Sequence, residues 1–70
     1  MEVLDLHGIR HCRVALLVEN FILLNPSPVR IITGNSSRMK SLTIEVVERY
    51  GFSWGYENDY NLGAIAVNAS

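Results

Sequence analysis

Two prolines, Pro26 and Pro28, do most to limit the folds open to this chain. They separate an apolar stripe at helical spacing (Val14, Leu17, Val18, Phe21 and Leu24) from a β-branched run, Val29 to Thr33. Proline has no amide with which to continue a helix, so Asn25-Pro26-Ser27-Pro28 closes one element before a strand begins. Ahead of the helix, which runs from about Arg10 to Leu24, Glu2 to His7 reads as a strand bounded by Gly8. The first half of the chain is therefore strand, helix, strand.

The second half extends that pattern. Gly34-Asn35-Ser36-Ser37 is turn chemistry, and Ser36 or Ser37 is placed to cap a following helix. Met39, Leu42, Val46, Val47 and Tyr50 mark the expected buried stripe of that helix. Glu45 and Arg49 form an i,i+4 pair on its wet side, and Gly51 supplies the stop. Phe52 to Tyr56 and Leu62 to Val67 read as two strands joined by the polar turn Glu57 to Asn61. The order is βαβαββ. Right-handed crossovers make the first strands parallel and put both helices on one face of the sheet.

Seventy residues form one domain, residues 1–70. A domain this small buries only about 60% of the surface its unfolded chain exposes. A hydrophobic fraction of 49% with 19% charged residues is that of a folded protein. The longest uncharged apolar run, Val14 to Val18, is too short to span a bilayer, and Met1-Glu2 opens no signal peptide. Cys12 is the one cysteine, so no internal disulfide forms, and the expected compartment is the cytoplasm.

The net charge of −1 argues against strong nonspecific attraction to polyanions, but the charges are unevenly placed. Arg10, Arg13, Arg30, Arg38 and Lys40 lie between Gly8 and Lys40, where the only acid is Glu19. Beyond Lys40, Arg49 stands alone against Glu45, Glu48, Glu57 and Asp59. Arg10 and Arg13 fall in or near the first turn of the first helix, Arg38 and Lys40 in that of the second. A cation there opposes the helix dipole at a cost of about 0.3–1 kcal/mol when exposed. An anion held between the two turns removes the conflict, and parallel sheets bind ligands at this end of their strands. Gly34 permits close backbone approach, and Asn35, Ser36 and Ser37 can donate to phosphate oxygens. The loop lacks the glycine-lysine pair of a nucleoside triphosphatase.

The stretch Leu4-Asp5-Leu6-His7-Gly8 adds a candidate reactive pair. Alternation along a strand puts Asp5 and His7 on one face, Leu4 and Leu6 on the other. His7 is of the type that serves as general base, with Asp5 orienting it or holding a divalent ion. The competing reading has both residues stiffening the turn.

Leu4-Asp5-Leu6-His7-Gly8 resembles the LDLHG motif of the Smr (small MutS-related) domain family. Thr33-Gly34-Asn35-Ser36 is similar to that family's second motif, HGxG or in some branches TGxG, and Arg38-Met39-Lys40 resembles the start of the helix that follows it. The resemblance runs over nearly the whole chain. It implies an α/β (α+β) two-layer sandwich, with a four-stranded mixed sheet and two helices on one face, like the C-terminal domain of translation initiation factor three. It also implies binding to DNA or RNA and, as in several members, metal-dependent nicking endonuclease activity. Asp5 and His7 then occupy the catalytic positions, Asp5 as ligand to Mg²⁺ or Mn²⁺, with no organic cofactor. Gly8, Arg10, Arg13, Thr33, Gly34, Asn35, Ser36, Ser37, Arg38 and Lys40 would contact nucleic acid. The chain departs from the pattern where Thr33 replaces histidine, removing a second general base, and where Ser36 replaces the second glycine. Binding tolerates these changes more readily than cleavage does.

Other residues carry weaker expectations. His7, His11 and Cys12 lack the paired spacing of a zinc site, and Cys12 reads as a buried or half-buried thiol. Phe52, Trp54 and Tyr56 share one face of their strand: core if it lies under the helices, a base-stacking surface if it is open. Leu16 and Leu23 lie on the polar arc of the first helix and are candidates for a homodimer or protein-partner contact. No membrane partner is expected. The readings that remain are a nucleic-acid-binding domain with nicking activity, a non-catalytic module docking on nucleic acid or protein, and a small-anion or nucleotide binder.

Overall fold

A computed structural model describes residues 1–57 and 63–69. Of the turn expected from Glu57 to Asn61, only Glu57 is described; Tyr60, and Leu62 as the start of the last strand, lie outside the described residues. The elements follow in the expected order: β1 (Glu2–Asp5), α1 (His11–Leu24), β2 (Val29–Ile32), α2 (Ser37–Arg49), β3 (Ser53–Tyr56) and β4 (Ala64–Asn68). They form one four-stranded mixed sheet, ordered β1-β2-β4-β3. β1 and β2 are parallel with Asp5 opposite Ile32, while β4 runs antiparallel to both β2 and β3.

Strand alternation sorts the two faces. Leu6, Val29, Ile31, Ile65 and Val67 point to the helices and join Val14, Val18, Ile22, Met39, Val46 and Val47 in one buried cluster. Each such side chain contributes about 1.5–3 kcal/mol on leaving water, which is the main force holding so small a sheet. The other face carries Val3, Arg30, Ile32 and Ala66. There an ion pair of 2.8 Å joins Arg30 on β2 to Glu57 just past β3.

The helix stripes differ in detail from those the sequence suggests. In α1 the fully packed residues are Val14, Val18 and Ile22, four apart, with Leu17 and Phe21 half-buried beside them; Leu24, the last helical residue, is exposed. In α2, Met39, Thr43, Val46 and Val47 are buried, and Leu42 is half-buried. Tyr50 is exposed, because α2 ends at Arg49 and Tyr50 sits at its C-cap. Its hydroxyl donates to the Glu19 carboxylate on α1, tying the two helices together.

The stops act as their residue types require. Asn25 ends α1 by donating both its backbone amide (3.2 Å) and its side-chain amide (3.0 Å) to the Phe21 carbonyl. Gly51, at φ +77°, ends α2, its amide reaching the Glu48 carbonyl at 3.0 Å. Arg49 and Glu45 pair at 3.2 Å on the exposed side of α2.

Candidate functional site

Because β1 and β2 are parallel and adjacent, their C-terminal ends leave the sheet side by side, about 4.7–4.9 Å apart. The two strand-to-helix turns therefore share one rim, and both helices begin there. The first turn is built by Asp5: its Oδ1 accepts the His7 amide at 2.8 Å, bending the chain out of the strand two residues earlier than expected. Leu6 makes one last ladder bond, its amide to the Ile32 carbonyl at 2.9 Å. The Ile9 amide then closes a β-turn on the Leu6 carbonyl at 3.0 Å, with Gly8 at φ +78°, a conformation only glycine takes without strain. Asp5 and His7 are thus neighbours at the rim, both exposed, and joined through carboxylate and backbone.

The second turn is held from the far side of β2. The Gly63 carbonyl, just before β4, accepts the Thr33 amide at 2.8 Å, the Gly34 amide at 3.1 Å and the Thr33 hydroxyl at 3.3 Å. That hydroxyl also faces the Gly34 carbonyl at 3.1 Å. Thr33 is 4% exposed, so its side chain is a tie within the fold. Gly63 was not singled out from the sequence. A methyl group there would lie 3.3 Å from the Gly34 Cα, carbonyl carbon and oxygen, so the turn packs against bare backbone. The signal in the sequence is a glycine inside the expected last strand, a place that marks close backbone approach. Ser36 settles the choice of cap: its hydroxyl accepts the Met39 amide at 3.1 Å.

The remaining site residues divide by position. Arg10 is the N-cap residue of α1 and makes no side-chain capping bond; Arg13 lies in the first turn. Arg38 lies in the first turn of α2, and Lys40 follows within the next. Neither helix has an acid in its first turn, and none of these four cations has an ion-pair partner among the described residues. Arg10, Arg13 and Arg38 are exposed; Lys40 is half-buried, its ammonium 5.7 Å from the centre of the Tyr56 ring. Gly34, Asn35 and Ser37 are exposed along the turn itself. No pocket is found among the described residues.

Further expectations resolve here. Phe52 and Trp54 pack against the core on the helix side of the sheet, while Tyr56 stays partly exposed at its edge. Cys12 is exposed rather than buried, because it lies in the first turn of α1 away from the Val14–Val18–Ile22 stripe. Leu16 and Leu23 are exposed, at 59% and 53%. Among the described residues no three His, Cys, Asp or Glu side chains gather, and one Asp5 oxygen is already bonded. No helix among the described residues is long and apolar enough to cross a membrane. No family model, no curated protein and no solved structure matches this chain.

Proposed function

We propose that this chain is a Smr-type domain that binds the phosphate backbone of nucleic acid along the rim where its two strand-to-helix turns emerge, in a reducing, cytoplasmic setting. The observation that carries the reading is the parallel β1/β2 register, Asp5 opposite Ile32, which sets two acid-free, basic helix starts side by side. Helix N-termini favour anions through free amides and dipole, and cations flanking them hold phosphates without reading bases. With its hydroxyl tied to backbone carbonyls, Thr33 shapes the second turn and leaves the phosphate contacts to the residues that follow it.

The test is equilibrium binding of labelled RNA and DNA across a salt series. The affinity falls as salt rises, with a log–log slope of about −0.7 per phosphate contact for single strands. Arg10→Gln and Arg38→Gln each flatten that slope by about one contact, while Arg49→Gln, at the far end of α2, leaves it unchanged. No binding of either polymer at low salt refutes the proposal.

Nicking is a second reading, favoured by the exposed His7 imidazole two residues from Asp5. Supercoiled plasmid and structured RNA are incubated with Mg²⁺, Mn²⁺ or chelator, beside Asp5→Asn and His7→Ala. Metal-dependent cutting lost in both variants supports it. Binding without cutting identifies a non-catalytic module.

A further inference from the structure

Tyr56 is the last residue of β3, paired with Ile65, and it stands on the helix side at the open edge of the sheet. The residue is 43% exposed. Two contacts hold it there, one of them braced in turn. Trp54 meets it edge-on at 5.7 Å and 88°, Trp54 is itself fixed by its indole N–H donating to Glu48 Oε2 at 3.3 Å, and the Lys40 ammonium lies over the ring. An exposed aromatic ring braced from two sides, and touched by a cation from the start of α2, is more than a core residue at a frayed edge.

We infer that Tyr56 is a stacking platform for one unpaired base, so that the basic rim takes single-stranded nucleic acid in preference to duplex. The inference rests on the phosphate-binding reading and adds to it the form of the ligand. A strand whose phosphates pass over the start of α2 meets Lys40 and brings the next base beside Tyr56. Lysine is a flexible point charge with rotatable donors, so it exchanges the ring for a phosphate oxygen and uncovers the ring face. An unpaired base has a free π-face to lay on that ring; a paired base has spent both faces within the duplex.

The experiment uses the full chain and a short fluorescein-labelled RNA of mixed sequence, its DNA counterpart, and each annealed to its complement, read by anisotropy. The wild type binds the single strands more tightly than the duplexes. Tyr56→Ala weakens single-strand binding by about 5- to 150-fold, the range of one base–aromatic stack, and leaves duplex binding unchanged. Tyr56→Phe retains the preference. Tyr56→Leu, which keeps apolar bulk without a π-face, shows the same loss as alanine and guards against a folding artefact. Arg38→Ala weakens both forms together. The platform is overturned if Tyr56→Leu binds single strands like the wild type, or if it weakens single strand and duplex equally, while Arg38→Ala still weakens both. In those cases the phosphate reading stands. If neither polymer binds at low salt, both readings fall.

Discussion

Thr33→Val separates the two roles open to this residue, a tie within the fold or a group that faces ligand. Valine keeps the β-branched shape and replaces the hydroxyl with a methyl group. One shared proton is lost, from bonds of 3.1 Å to Gly34 and 3.3 Å to Gly63. The Gly63 carbonyl keeps the Thr33 and Gly34 amides at 2.8 and 3.1 Å, and Gly34 is exposed, so water replaces its lost donor. No buried acceptor is orphaned, and the cost is that of one ordinary hydrogen bond, about 1 kcal/mol. For a domain of this size that lowers Tm by about 4–8 °C. Melting followed by circular dichroism, paired with nucleic-acid binding measured well below the melt, is the assay. The expected result is a lower Tm with binding unchanged. A variant that melts like the wild type but loses binding or cleavage would show that the hydroxyl faces ligand, and the assignment as a tie within the fold would be wrong.

Three further outcomes follow from the same geometry. Gly63→Ala brings a methyl group to 3.3 Å from the Gly34 backbone, closer than ordinary contact, and is expected to cost about 1–3 kcal/mol of unfolding free energy measured in urea. Ser36→Ala removes the cap on Met39 and destabilises by about 0.5–2 kcal/mol in the same assay, with the loss confined to the start of α2 in amide exchange. The hydrogen bond to Glu19 first, then desolvation and the Glu19 charge, hold the Tyr50 hydroxyl above the ordinary phenol value of 10.0. The protonated form is favoured in the folded state, so its contribution is full below the unfolded pKa and is lost as pH rises through the folded one. Ultraviolet titration should therefore find Tyr50 ionising late, and Tyr50→Phe should remove both that late step and its share of the stability lost in strong alkali.

Most of the architecture is legible in local chemistry, because each element is bounded by a residue with a single conformational job. Asn25 and Pro26 stop α1, Gly51 stops α2, and the β-branched run from Val29 is a strand, as read. The shared rim is legible too, since a helical crossover makes β1 and β2 parallel, and parallel neighbours send both strand-to-helix turns out at one end of the sheet. What the sequence does not display is the set of contacts made across it. Gly63 lies far along the chain from Thr33, and nothing local marks its carbonyl as the acceptor that shapes the second turn. The outer limits of the stripes shift for a similar reason: Leu24 and Tyr50 keep helical spacing but fall where the helices end, so their side chains leave the core. The residue type of Cys12 suggests burial, but its position in the first turn of α1 leaves it exposed.

The measurement that bears most directly on the rim is an amide chemical-shift titration of the labelled protein with a short single strand at low salt. Residues of both segments, Gly8 to Arg13 and Gly34 to Lys40, are expected to move together along one binding curve, with Arg49 and the start of β1 still. Shifts limited to one turn, or centred on the opposite end of the sheet, would contradict the shared rim.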